Sequence, residues 1–278
     1  MTRGSAMVWV GWVLVSCLFG SSTAHAYKLK TTKTGNRVHW TSPVITLYVD
    51  AKLEDFYGKD AVRSSITMAS ETWRGLPNTP DIVISDKPAP GYQATERTNG
   101  IYLMNPWPFP KEQLAVTVST YDLDGNMIGA DVLVNAESSF AVLSDGEDHP
   151  GMAQHDLPSV LTHEFGHVLG LDESLTDQMA SMWPYIRGGD VHQRTLTSDD
   201  ESGVTDTYHG VTFNAATAAI GGCTQASVLG LGSPASKLQL VGLALAVVWM
   251  GRRRAARRHT TFRVSVFSAA VSEAAERS

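Results

Sequence analysis

The chain has 278 residues, enough for one substantial folded domain with flanking segments. Its formal net charge is -6 and is unevenly placed: residues 251–278 hold seven Lys/Arg against two Asp/Glu, and the rest hold fifteen against twenty-six. An acidic body with a basic tail excludes the ordinary nucleic-acid binder, in which positive charge lines the folded domain.

Residues 1–26 read as an export signal. Arg3 supplies a positive start, Met7–Phe19 is apolar apart from Gly11, Ser16 and Cys17, and Ala24-His25-Ala26 has the small-x-small form that leader peptidases cut after. Cutting there leaves Tyr27 as the mature N-terminus. Leu14-Val15-Ser16-Cys17 is a rival, because it resembles the lipid-attachment box of bacterial lipoproteins. An uncleaved anchor needs about 20 apolar residues, more than this run holds. Cys17 and Cys223 are the two cysteines, so a chain cut after Ala26 keeps one and has no intrachain disulfide.

In chain order, Val44–Val49 reads as a first strand after the turn-like Thr41-Ser42-Pro43. Asp60–Trp73 places Val62, Ile66, Ala69 and Trp73 three or four apart, the spacing of an amphipathic helix that ends near Gly75. Asp81–Ser85 is a short strand, while 88–100 and 105–110 are too rich in Pro, Gly and polar residues to continue a sheet. Leu114–Thr120 and Ala130–Asn135 alternate as strands around the turn Asp124-Gly125-Asn126. Asp122-x-Asp124-x-Asn126 has some calcium-loop character but lacks Gly at loop position six and Glu at twelve, so a hairpin is the simpler reading. Residues 141–155 form a loop with Asp145, Glu147 and Asp148; Ca2+ is a weakly supported candidate there beside plain solvation of an acidic loop.

Asp156 or Leu157 opens a helix that tolerates Pro158 in its first turn. On it, His163 and His167 stand one turn apart on a common side and can direct two imidazole nitrogens at one ion. Glu164 lies beside His163, directed toward a water on that ion and not at the ion itself. Gly170 lets the chain leave in a left-handed conformation, so an acidic side chain at Asp172 or Glu173 can return as a third ligand.

The run from His163 to Ser174 resembles the metzincin motif, in its matrixin branch of bacterial type, whose general form is His-Glu-x-x-His-x-x-Gly-x-x-His. Ala180-Ser181-Met182-Trp183-Pro184 resembles the Met-turn that passes beneath the metal, and Leu196–Gly203 the start of the family's C-terminal helix. Leu114-Ala115-Val116-Thr117 and Gly129–Asn135 resemble its sheet strands. The resemblance covers roughly residues 37–210. It implies an α+β fold, three-layer α/β/α-like, with a twisted and mostly parallel sheet, an active-site helix, a Met-turn and a C-terminal helix. It further implies a zinc-dependent endopeptidase in which His163, His167 and Glu173 hold Zn2+, Glu164 is the general base for a metal-activated water, and Met182 supports the site. Trp183, Pro184 and Tyr185 are the candidate substrate pocket. Partners are then protein or peptide substrates.

Two departures stand out. Glu173 occupies the place of the family's third histidine, giving a two-histidine, one-glutamate set known from other zinc peptidases; the family register favours 173 over 172. The tyrosine after the Met-turn comes one residue early, as Tyr185, with Ile186 in its usual place, so specificity is not transferable. The interval from Ala26 to Arg37 is too short for an inhibitory prodomain.

After Tyr208 the chain changes character. Residues 211–237 form a small-residue linker containing Gly221-Gly222-Cys223, residues 238–258 join an apolar run to an Arg cluster, and 259–278 are a tail. The order Gly-Cys, short apolar helix, Arg cluster resembles the C-terminal sorting signals of myxobacterial surface proteins. It implies an exported protein at the cell surface or outside the cell, whose hydrophobic tail is either held in the membrane transiently and removed near Cys223, which can then bear a lipid, or kept as a stable membrane anchor. An inactive, surface-tethered zinc- or protein-binding module on the same fold is the alternative to a peptidase.

Overall fold

The computed structural model describes residues 27–93, 98–144, 148–214 and 263–271. The expected leader, most of the 211–237 linker and the 238–258 segment lie outside them. No helix among the described residues is long and apolar enough to cross a membrane.

Strand β1 (Val44–Val49) buries every second side chain, Ile45, Leu47 and Val49, which is how a strand presents one face to a core. Asp50 then caps a short helix, α1 (Ala51–Tyr57), by accepting the Lys52 N–H at 3.1 Å. Helix α2 (Lys59–Thr72) follows after Gly58, and the expected spacing holds: Val62, Ile66, Ala69 and Trp73 are all buried. Strand β2 (Asp81–Pro88) outlasts its expected end, and β3 (Gly100–Met104) appears where no strand was expected. Strands β4 (Gln113–Tyr121) and β5 (Met127–Asn135) form the expected hairpin. Its turn is closed by Asp122, whose Oδ1 accepts from the N–H groups of Asp124 (3.0 Å) and Asn126 (2.9 Å), while Gly125 takes φ +92°. Those carboxylate contacts close the hairpin turn. Two-residue strands β6 (Phe140–Ala141) and β7 (His155–Asp156) pair beside the start of α3 (Leu157–Val168). After it come β8 (Tyr185–Ile186), a single 3-10 turn (His192–Arg194), α4 (Ser198–Tyr208) and β9 (Arg263–Val271).

The sheet order is β2-β1-β3-β5-β4-β9-β8. Strands β1, β2, β3 and β5 run parallel to their neighbours among themselves and β4 runs antiparallel to β5, giving the mostly parallel sheet expected of the α+β fold. The main core joins β1 and β5 to α2, α3 and α4; a smaller cluster sets Tyr102, Val116, Val118 and Leu133, on the alternate positions of β3, β4 and β5, against Trp107 from the connection after β3. The two clusters follow from the two-residue period of the strands.

Helix α3 is buried along its whole length, which makes its end carbonyls costly unless paired. Gly170 turns the chain at φ +98°, and the N–H groups of Gly170 and Leu171 return to His167 O and Gly166 O. Side chains from elsewhere take the next two carbonyls: Trp40 Nε1 donates to Val168 O at 2.7 Å, and Tyr208 Oη to Leu169 O at 2.8 Å. At the other end, the buried Asp156 caps Ser159 N–H at 2.9 Å and is gripped by the Arg194 guanidinium through Nε (2.7 Å) and Nη2 (2.6 Å).

Candidate active site

The two histidines leave α3 with fixed tautomers. His163 Nδ1 donates to Ser181 O at 2.8 Å and His167 Nδ1 to Leu171 O at 3.1 Å, so each Nε2 carries its lone pair into the same space. The two Nε2 atoms are 3.0 Å apart. Burial pushes His163 down to about 4, the nearby Glu173 opposing, and pushes His167 down as well. Both rings are therefore neutral at neutral pH, the state that binds a metal.

Glu173 arrives from the segment that Gly170 turns back. Its Oε2 lies 3.6 Å from His163 Nε2 and its Oε1 3.6 Å from His167 Nε2. Oε2 is buried without a hydrogen-bond partner, and burial raises the carboxyl to about 7, with His163 pulling the other way. Four ligands around zinc at about 2.0–2.1 Å stand about 3.3 Å from one another in a tetrahedron. Two anchored imidazoles and one orphaned carboxylate at these separations fit that ion. Asp172 is turned to other work: its Oδ2 pairs with Lys28 Nζ at 2.5 Å and its Oδ1 accepts the Glu173 N–H at 3.0 Å.

Glu164, also fully buried, sits close enough to His167 for its charge to oppose the burial that lowers that ring's pKa. Its Oε2 accepts the hydroxyl of Thr117, from β4, at 2.5 Å. Thr117 ties strand β4 to the expected general base, a role invisible to residue spacing because the partners are 47 positions apart.

Beneath the helix, Met182 is buried with its sulfur against Gly166: a Cβ added at Gly166 would meet Sδ at 2.1 Å. The turn carrying it is held by Asp200, which accepts from Ser181 N (2.8 Å) and Met182 N (3.0 Å) and closes the capping box with Thr197. Burial raises the Asp200 carboxyl against the pull of these bonds. Because Ser181 O is what holds His163 Nδ1, Asp200 fixes a ligand at one remove. The sequence marks Asp200 as part of a helix start but not as the clamp on the Met-turn. Beyond the turn, Pro184 is buried, Trp183 is half-buried against Tyr185 edge-on (ring centroids 5.8 Å apart), and Tyr185 is 45% exposed, open to a ligand.

Asp148 lies with Asp190 and His192 in a second group of ligand-type atoms. Asp148 Oδ1 accepts from Val191 N at 2.7 Å and Asp190 Oδ2 from Arg187 N at 3.0 Å, so these carboxylates brace two loops. Residues 145–147, with Asp145 and Glu147, lie outside the described residues, and nothing among the described ones builds a calcium cage.

A helix presenting two histidines and a glutamate, a returning carboxylate ligand and a methionine turn beneath them define a metzincin-type zinc peptidase domain. Residues 103–209 match the family model described as Matrixin, a stretch that runs from the end of β3 through α4 and contains every residue of this site. No curated protein sequence matches the chain. The site and the match together make the protein a zinc-dependent endopeptidase.

Proposed function

We propose that the protein hydrolyses extended protein segments outside the cytoplasm, with Glu164 as the proton-transferring residue. The observation that carries this is the convergence of His163, His167 and Glu173 beside a Glu164 held from β4 by Thr117. Zinc bound by these three residues supplies Lewis-acid polarisation of a peptide carbonyl and lowers the pKa of water. The chain's own residues supply the rest. Glu164 takes the proton of the attacking water and can deliver it to the leaving amine. Thr117 keeps that carboxylate oriented, and the neutral histidines stay anchored through Nδ1. Glu173, in place of a third imidazole, brings a negative charge that makes the site less strongly acidifying than a three-histidine set.

Export is supported by the leader-like residues 1–26 and by Tyr27, whose N–H donates to Asp199 at 2.9 Å, so that the residue expected to begin the mature chain is tied to α4. Attachment to a cell surface rests on the 221–258 pattern alone.

Changing Glu164 to Gln tests the assignment. Zinc content should stay at one per chain while turnover of an unstructured protein falls about 10²–10⁴-fold. Near-normal turnover in that variant would remove Glu164 from the chemistry.

A further inference from the structure

The sheet continues beyond β4, and its next member comes from the far end of the chain. Strand β9 runs antiparallel to β4, with Gln113 opposite Ala270, Thr117 opposite Phe267 and Tyr121 opposite Arg263. On its other side it runs parallel to β8, with Tyr185 opposite Ala270 and Ile186 opposite Val271. It also lies against α3. The segment thus threads between the two walls that flank the donor set. One wall is β4, whose Thr117 grips Glu164; the other is β8, three residues beyond Met182. The backbone around Phe267 is the part of β9 in register with Thr117.

A cleft that acts on peptide bonds must hold an extended main chain, and adding a strand to a sheet edge is the general way to do so. Residues 263–271 have that conformation and position. We propose that they are an intramolecular peptide ligand of the active-site cleft, seated as a substrate would be and closing the cleft to other peptides. This rests on the peptidase reading above. The ligand class is an extended peptide with small residues (Ser268, Ala269, Ala270) after the position opposite Thr117.

Three physical consequences follow. Seating β9 covers the β4 edge, which would otherwise be a row of unpaired N–H and C=O groups open to any strand. A tethered segment competes at an effective concentration of about millimolar, so a free peptide of equal intrinsic affinity is displaced below that level. Passage of 238–258 across a bilayer would put Arg263 on the far side from β4, so anchoring and seating exclude each other. Insertion or removal of the tail therefore unseats β9 and opens the cleft.

The test uses the full chain, zinc-loaded, carrying Glu164→Gln so that binding is read without turnover. Neighbouring N–H groups of a strand point to opposite sides, so replacing both Val266 and Phe267 by proline removes at least one bond to β4. The probe is a fluorescein-labelled peptide with the sequence of residues 263–271. Its affinity should rise at least about tenfold in Val266→Pro/Phe267→Pro, as expected when a millimolar internal competitor is lost. Amide hydrogen exchange across β4 should quicken at the same time. A chain ending at Phe262 should behave alike, which guards against misfolding of the proline variant. Equal affinity with equal β4 protection in all three forms overturns the proposal. With Glu164 restored, hydrolysis of an unstructured protein should rise by a similar factor on unseating; equal, measurable hydrolysis overturns the closure. An affinity difference with no hydrolysis in any form upholds the ligand assignment and sinks the peptidase reading instead.

Discussion

The two halves of the donor set are built differently. The histidine half lies on a helix with no exposed residue, both rings are anchored through Nδ1, and the end carbonyls of the helix are taken by Trp40 and Tyr208. The glutamate half lies on a returning segment, its side chain 19% exposed and one buried oxygen without a hydrogen-bond partner. The first half is complete without metal; the second is completed by it. Such a division lets the fold position the ion while leaving the last ligand responsive to protonation.

Loosening the prebuilt half should have the largest effects. Asp200→Ala removes a buried carboxylate that accepts from Ser181, Met182 and Thr197, and should cost about 3 kcal/mol of stability, since hydrogen bonds to charged groups carry about 1.5–3 kcal/mol each and do not add fully. Urea unfolding of the zinc-free protein measures it; a change within experimental error would show that the Met-turn holds itself. Gly166→Ala drives a methyl into Met182 Sδ and should cost about 1–3 kcal/mol, the range for overpacking. Unaltered stability there would mean that Met182 is not a close-packed floor. Thr117→Val keeps the shape but removes the hydroxyl on Glu164, and should lower kcat about tenfold, equivalent to one hydrogen bond of about 1.4 kcal/mol, with zinc affinity unchanged. Loss of zinc in that variant would assign Thr117 to the metal site.

The glutamate half is reached through pH. In the metal-free protein Glu173 takes up a proton as pH falls through about 7, whereas His163 stays neutral until about 4. Zinc binding must displace that proton, so between pH 7 and 5 affinity should fall about tenfold per unit. A pH-independent affinity over this range, measured by competition with a chelator, would mean that no carboxylate of raised pKa is a ligand.

Much of this was legible because the helix carries its own signals: the Asp156 cap, the four-residue histidine spacing and the exit at Gly170 are all local. The same holds for α2, where apolar spacing alone marks the buried face. Helix α1 was not foreseen because it is a single short turn pair with one buried residue, Leu53. Strand β3 was hidden by the polar, glycine-rich residues before it and the prolines after it, and only pairing between β1 and β5 makes it a strand. The roles of Thr117 and Asp200 depend on which elements the fold brings together, so no spacing could show them. The tail at 263–271 alternates Val264 and Val266 with polar residues, a strand signal that stood beside a more conspicuous Arg cluster.

The choice between neighbouring carboxylates tests the central claim most directly. Zinc per chain, measured on Glu173→Gln and Asp172→Asn side by side, should fall well below one in the first and remain at one in the second, because Asp172 is engaged by Lys28 while Glu173 faces both histidines. Full zinc in Glu173→Gln with loss in Asp172→Asn would contradict the ligand set on which the account is built.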